Sequence, residues 1–284
     1  MPQAGSILSN VRKLFGDPDL DFITDAVGLD WLDQAQRRFC QEVMALDEYK
    51  DYTVTAKADK FDLPTNAIIP IWLMWYQSRV AKLDYATPDQ WARIIENQPT
   101  STGIPEWYTV IRKQVQVGPQ VPSTASKTST ASGTITASGT TISVVTATGQ
   151  FRTKGFVKIN SEVLEYTALG AAQLTGATRG VHGTTATSHA SGDTVTQVDL
   201  MMLYRKTPAA LATSALPDVP EMFHDYLEKY VLYLAWLARG DQSKAGAAYG
   251  EFEKLEQSAV KTVARRALDG TLKVQDKRAR RRWW

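Results

Sequence analysis

The chain has 284 residues, 43% of them hydrophobic, and a formal charge of only +2. That is enough apolar material for one large domain or two smaller ones, and a balance this even singles out no partner by bulk electrostatics. Cys40 is the only cysteine, which excludes an internal disulfide and any cysteine-cluster metal site and fits synthesis in a reducing compartment. The N-terminus lacks a basic-then-apolar leader pattern, and no apolar run approaches the length of a membrane span.

Residues 5–15 read as a short amphipathic helix carrying Ile7, Leu8, Val11, Leu14 and Phe15, ended by Gly16-Asp17-Pro18. A stronger helix is predicted over about 29–46. Trp31, Leu32, Ala35, Phe39, Val43 and Leu46 line one of its faces. Residues 50–84 read as strands and turns. Tyr52, Val54 and Ala56 alternate, Phe61-Asp62-Leu63-Pro64 closes that run, Ile71–Trp75 is a dense apolar strand, and Val80–Leu83 can pair with it. Thr87, Pro88 and Gln90 spell a capped helix start, with Trp91, Ile94 and Ile95 docking the helix. A turn at Gly103–Tyr108 leads into a predicted strand, Val110–Val117.

At Pro119-Gln-Val-Pro122 the composition changes. Residues 123–197 contain 36 Ser, Thr or Gly in 75 positions, with no Pro and no Trp. Low complexity suggests disorder for 123–133. Beyond it, alternation at Ile142–Val145, Phe156–Ile159, Val163–Tyr166 and Thr194–Val198 argues for short strands. Asn160-Ser161 and the glycines at 176, 180, 183 and 192 supply turns. The segment therefore reads as an inserted small all-β module, a sandwich or barrel. The host fold resumes at Asp199–Arg205, another strand, expected to pair with Val110–Val117.

The stretch Pro217–Leu268 organises the rest. Val219, Met222, Phe223, Tyr226, Tyr230, Leu234 and Leu237 form one helical stripe. Ala245, Ala248, Tyr249, Phe252, Leu255, Ala259 and Val263 form a second, and Gly240-Asp241 joins them as an antiparallel hairpin. The 29–46 helix is the expected third partner. Gly270 is a natural helix stop, and the residues after it are expected to be disordered in the isolated protein.

Enzyme chemistry finds little support. His182 and His189 lie in Gly/Thr-rich turns, with Asp193 the only further ligand for a metal pair. His224 reads as a surface or interface residue early in the hairpin. Glu162 and Glu165 differ by three, so on a strand they face opposite sides and form no acid/base pair. Gly176–Gly183 lacks the Gly-Lys-Ser/Thr end of a phosphate loop and reads as β turns. No catalytic residue, cofactor or metal is assigned.

The tail has more chemical character. From Lys261 to Trp284 there are nine Lys or Arg against two Asp, or +7, leaving 23 basic against 28 acidic residues, or −5, in the remainder. Lys277, Arg278, Arg280, Arg281 and Arg282 supply cations. Trp283 and Trp284 supply large apolar faces, and Arg and Trp are the types found most often at interface hot spots. The segment reads as a docking peptide. Nucleic-acid contact, a membrane-interface anchor and a solvated tail without a role are the alternatives.

Five stretches then line up: Asp30-Trp-Leu-Asp-Gln-Ala-Gln-Arg-Arg, Phe61-Asp-Leu-Pro, Gly103-Ile-Pro-Glu-Trp-Tyr, Leu203-Tyr-Arg-Lys-Thr-Pro, and Leu216-Pro-Asp-Val-Pro-Glu-Met-Phe-His-Asp-Tyr. Their order resembles the head-to-tail adaptor, head-completion or neck, proteins of tailed bacteriophages. Residues 155–167, 174–184 and 188–195 likewise resemble a small β module that recurs in phage virion proteins, which the plainest adaptors lack. The resemblance implies an α+β chain: a helical-bundle core with short strands and hairpins at 1–122 and 198–269, an inserted β domain at 123–197, and an extended basic/aromatic C-terminal arm at 270–284. It implies a homo-oligomeric ring, commonly of twelve, made in the host cytoplasm and placed in the virion neck. The portal protein would hold Lys277, Arg278, Arg280, Arg281, Arg282, Trp283 and Trp284. A tail or nozzle protein would sit below, and viral DNA would pass through the channel without sequence-specific binding. No membrane is implied. A net-acidic body would let that DNA slide. The alternatives are a nucleic-acid-binding virion protein using the basic tail, and a tail component binding a receptor or glycan through the β insert.

Overall fold

The computed structural model describes residues 2–17, 22–43, 46–54, 58–76, 80–97, 103–119 and 127–280, with side chains up to residue 263 in the last helix. The fold is α+β. Its residues pack as two units, Met1–Leu46 with Thr207–Trp284, and Asp47–Lys206.

The first unit is helical. In α1 (Ala4–Phe15) the buried positions Ile7, Leu8, Val11 and Phe15 recur at helical spacing, while Leu14 points to solvent. Thr24 caps α2 (Asp25–Glu42) by accepting from the Val27 N–H. This helix buries Leu32, Ala35 and Phe39. A 3₁₀ turn (Glu221–Phe223) leads into α4 (His224–Arg239), and α5 (Gln242–Arg280) follows. Gly240 has φ +82, so the chain turns through a left-handed residue. There the Gly240 N–H donates to Leu237 O and the Asp241 N–H to Trp236 O, closing the orphan carbonyls of α4. One apolar cluster joins α1, α2, α4 and α5. The α5 stripe is as the periodicity predicts. In α4 the buried set shifts to Tyr226, Leu227, Val231, Leu232 and Ala235; Met222 and Leu237 are exposed.

Two expectations need correction here. His224 is buried, its Nε2 lying 3.0 Å from Val219 O, because the 3₁₀ turn folds the helix start back over it. The helix stop expected at Gly270 falls ten residues later, at Arg280. One interior glycine costs about 1 kcal/mol relative to alanine. The Leu, Lys, Gln, Arg and Ala residues around it offset that cost.

The second unit holds a seven-stranded sheet in the order β1-β14-β3-β4-β5-β6-β2. Its strands are β1 (Leu46–Tyr52), β2 (Lys60–Asp62), β3 (Ala67–Trp75), β4 (Ala81–Tyr85), β5 (Trp107–Ile111), β6 (Gln114–Gly118) and β14 (Leu200–Lys206). Leu73 pairs with Leu83, as the apolar runs suggest. The capping box before α3 (Pro88–Asn97) forms reciprocally: the Thr87 N–H donates to Gln90 Oε1 at 2.9 Å and the Gln90 N–H to Thr87 Oγ1 at 3.4 Å. Trp91 is buried, whereas Ile95 faces out.

Val110–Val117 is not one strand. Arg112 and Lys113 both have positive φ, +52 and +62, and turn the chain between β5 and β6. The Leu200–Lys206 strand pairs with β3, not with this hairpin. Both sides of β5 are already taken, by β4 and β6.

The remaining strands make two small sheets. One runs β10 (Glu162–Tyr166), β9 (Gly155–Ile159), β13 (Thr194–Gln197), β7 (Thr128–Thr130); the other runs β11 (Ala168–Leu169), β12 (Gln173–Thr175), β8 (Thr141–Ser143). They enclose their own apolar cluster, built on Ile142, Val157, Ile159, Leu164, Tyr166, Leu174 and Val195. Among the described residues no helix is long and apolar enough to cross a membrane.

Candidate functional site

The base of α5 is held by an aromatic and ionic cluster. Phe252 is fully buried, with its ring centroid 4.7 Å from Tyr226 and 5.0 Å from Tyr230. The Arg38 guanidinium of α2 lies 4.9 Å from the same ring, and its Nε donates to Glu256 Oε1 at 3.3 Å. The Tyr226 hydroxyl donates to that oxygen at 3.2 Å. Burial, followed by the Glu256 charge, pushes the Tyr226 phenol well above its ordinary value. Lys229 and Glu251 pair at 2.6 Å between α4 and α5. Ala259 and Val263 continue the contact with the bundle core.

From there the α5 backbone runs 17 residues further, to Arg280. At 1.5 Å per residue this adds about 25 Å of helix. Lys277, Arg278 and Arg280 lie in its last turn, by backbone position. Arg281, Arg282, Trp283 and Trp284 lie outside the described residues. Between 264 and 280 the sequence has six Lys or Arg against two Asp.

The histidines of the small-sheet region go to separate partners. His189 Nε2 is 2.8 Å from Glu162 Oε2, and Asp193 is 3.9 Å from the other ring nitrogen. His182 instead sits 2.9 Å from both carboxylate oxygens of Asp51, stacked on Tyr49 and tilted against Phe156, each at 4.7 Å. Among the described residues no group of three His, Cys, Asp or Glu side chains is placed to hold a metal ion.

Glu162 is a hub that the sequence reading missed. Its carboxylate is fully buried and accepts from Arg179 Nε at 2.8 Å, Arg179 Nη2 at 2.7 Å, the Gly180 N–H at 3.0 Å and the Thr187 N–H at 3.0 Å, besides meeting His189. Arg179 also donates to the Thr136 and Thr187 carbonyls. Burial alone would raise the acid; Arg179, Thr187, His189 and Gly180 outweigh it and hold Glu162 at about 2. Glu165, three residues on, is exposed, so the two carboxylates do face apart. The available signal was Arg179 itself, a lone long cation between Gly176, Gly180 and Gly183.

The family model described as SU10 adaptor protein matches residues 2–278, nearly the whole chain. No curated protein matches it.

Proposed function

The chain belongs to the SU10 adaptor protein family, and from that premise we propose that it is a ring-forming adaptor joining the portal to the tail. As a member of that family it is a phage adaptor, a component of the virion. In the proposed mechanism the end of α5 enters a cleft between portal subunits. Lys277, Arg278, Arg280, Arg281 and Arg282 meet acidic groups there, and Trp283 and Trp284 fill apolar pockets. Repetition around a ring of twelve multiplies a modest contact into a tight seal. The small-sheet region, 123–197, is a module inserted into the adaptor core. The ring's acidic body surrounds the exiting DNA without reading its sequence, and a tail or nozzle protein closes the lower side.

The observation that supports this reading best is α5 itself. One helix begins in the bundle core and carries the basic segment beyond it. A helix so anchored can transmit force between ring and portal.

Deleting residues 273–284 is expected to abolish portal binding, at least a hundredfold by sedimentation or surface binding, while circular dichroism shows the remaining chain folded. Virion assembly at the normal level after that deletion would sink the docking role. Retention on DNA without portal, with steep salt dependence, would instead favour the basic tail as a nucleic-acid contact.

A further inference from the structure

The β5–β6 hairpin turns on two residues poorly suited to turning. Ile111 pairs with Gln114, so Arg112 and Lys113 alone close the loop, at φ +52 and +62. A two-residue turn of that shape is the usual place for Asn-Gly, because in the left-handed region a Cβ crowds the carbonyl oxygen. The chain follows that preference elsewhere. Asn160 supplies the positive φ of the two-residue turn between β9 and β10, and Gly240 that of the turn between α4 and α5. Among the described residues only Arg112, Lys113 and His182 take a positive φ without being Gly or Asn. For His182 the placement has a use inside the chain, since it brings the ring onto Asp51. The side chains of Arg112 and Lys113 are exposed and make no hydrogen bond or ion pair among the described residues.

Strained positions of this kind cluster at ligand clamps and other functional sites. Here nothing inside the chain offsets the strain, and its product is two solvated cations at a hairpin tip. The surrounding charge narrows what they meet. From Trp107 to Gly118, the whole hairpin, there is no Asp or Glu. The one carboxylate on the paired strand β2, Asp62, has Oδ1 occupied by the Gln114 amide, which donates to it at 2.9 Å. Lys60, Arg112 and Lys113 against Asp62 leave +2 on β2 and the hairpin, in a chain whose residues outside 261–284 sum to −5.

We propose that Arg112 and Lys113 are a contact for the sugar-phosphate backbone of duplex DNA. The inference rests on the adaptor reading, which sets this chain around a passing duplex, and it names the residues that touch it. The residue types select a phosphodiester over an acidic protein surface. Protein interfaces centre on buried aromatic or aliphatic groups. The turn offers none: it is two cations between Ile111 and Gln114, both half-buried. Phosphate contacts need only cations and polar donors, and they carry no sequence information. A two-residue tip on an acidic body touches few phosphates at once, so the duplex is guided past it rather than held.

The test is fluorescence anisotropy of the full chain with a duplex of arbitrary sequence, read as a function of salt. Arg112→Asn with Lys113→Gly, which installs the residues the turn prefers, is expected to weaken binding about tenfold at low salt and to lower the salt-dependence slope by about 2, one for each lost phosphate contact. The basic tail is untouched, so the change in slope belongs to the turn. The same variant is expected to unfold about 2–4 °C higher, because the strain is gone. A more stable chain with a weaker hold on DNA is not what a merely structural turn would give. Arg112→Lys keeps the charge and is expected to bind as the parent does. Should the Asn-Gly variant fail to fold, Arg112→Gln with Lys113→Gln decides on affinity and slope. Unchanged affinity and slope, or a parent that does not bind duplex at low salt, overturns the contact. Unchanged DNA binding with weakened portal binding overturns it as well and assigns the turn to a protein partner. Portal binding by the parent, measured alongside, keeps the two readings apart: where it holds, only the DNA contact falls, and a parent that binds neither portal nor duplex overturns the adaptor reading too.

Discussion

Glu162→Ala is expected to unfold the small-sheet region, at a cost of about 3–5 kcal/mol, the usual consequence of stranding one partner of a buried ion pair. The substitution leaves the Arg179 guanidinium inside the protein without its carboxylate, and the Gly180 and Thr187 N–H groups without an acceptor. Glu162→Gln should lose less, because an amide oxygen still accepts from the backbone. Thermal or urea unfolding of the two variants against the parent checks this; a loss under 1 kcal/mol for the alanine variant would show that water or a neighbour replaces the carboxylate. The same group sets a pH dependence. Its folded value lies near 2, below the ordinary 4.5, so its stabilisation is complete above about pH 4.5 and fades as pH falls toward 2. A shift of that size corresponds to a contribution on the order of 3 kcal/mol. Parent and Glu162→Gln should therefore differ most above pH 4.5 and converge below pH 2.

The second large effect belongs to the bundle. Phe252→Ala removes a ring with no solvent exposure from among Tyr226, Tyr230, Tyr249 and the Arg38 guanidinium. A cost of about 3–5 kcal/mol is expected, the sum of lost burial and the cavity left behind. Phe252→Leu, which keeps most of the volume, should lose less than half of that. Loss of helical signal at lower denaturant, with the β signal unchanged, is the predicted signature. A fully stable alanine variant would mean that α5 is fastened mainly by its ionic contacts, Arg38–Glu256 and Lys229–Glu251.

How much of this could be read beforehand depended on the range of each interaction. The α5 stripe, the Thr87–Gln90 capping box and the strand alternation from Phe156 to Tyr166 are local, and local spacing carries them. The pairing of Leu200–Lys206 with β3 joins residues more than a hundred positions apart, and no local pattern distinguishes β3 from the β5–β6 hairpin as its neighbour. The turn at Arg112-Lys113 uses neither Gly nor Asn, the residues that normally announce positive φ. At the candidate site, the cationic composition of the tail was plain, but the continuation of the helix through Gly270 was not. Glycine marks a stop only where the flanking residues do not already favour helix. The Glu162 hub draws on positions 17 and 27 residues away, and the His182–Asp51 contact spans 131.

The chain's path through its two units bears on how it is made. The helical unit is split, with α1 and α2 emerging from the ribosome first and α4 and α5 last, and Asp47–Lys206 synthesised in between. At about 5–20 residues per second, the apolar faces of α1 and α2 wait roughly 8–30 s for their partners. The intervening unit shortens that search. Its first and last strands, β1 and β14, are neighbours in one sheet, so once it folds, the chain enters and leaves it through adjacent strands. A closure across 160 residues becomes a closure across two adjacent strand ends, and nascent chains stalled before β14 should be the ones that chaperones capture.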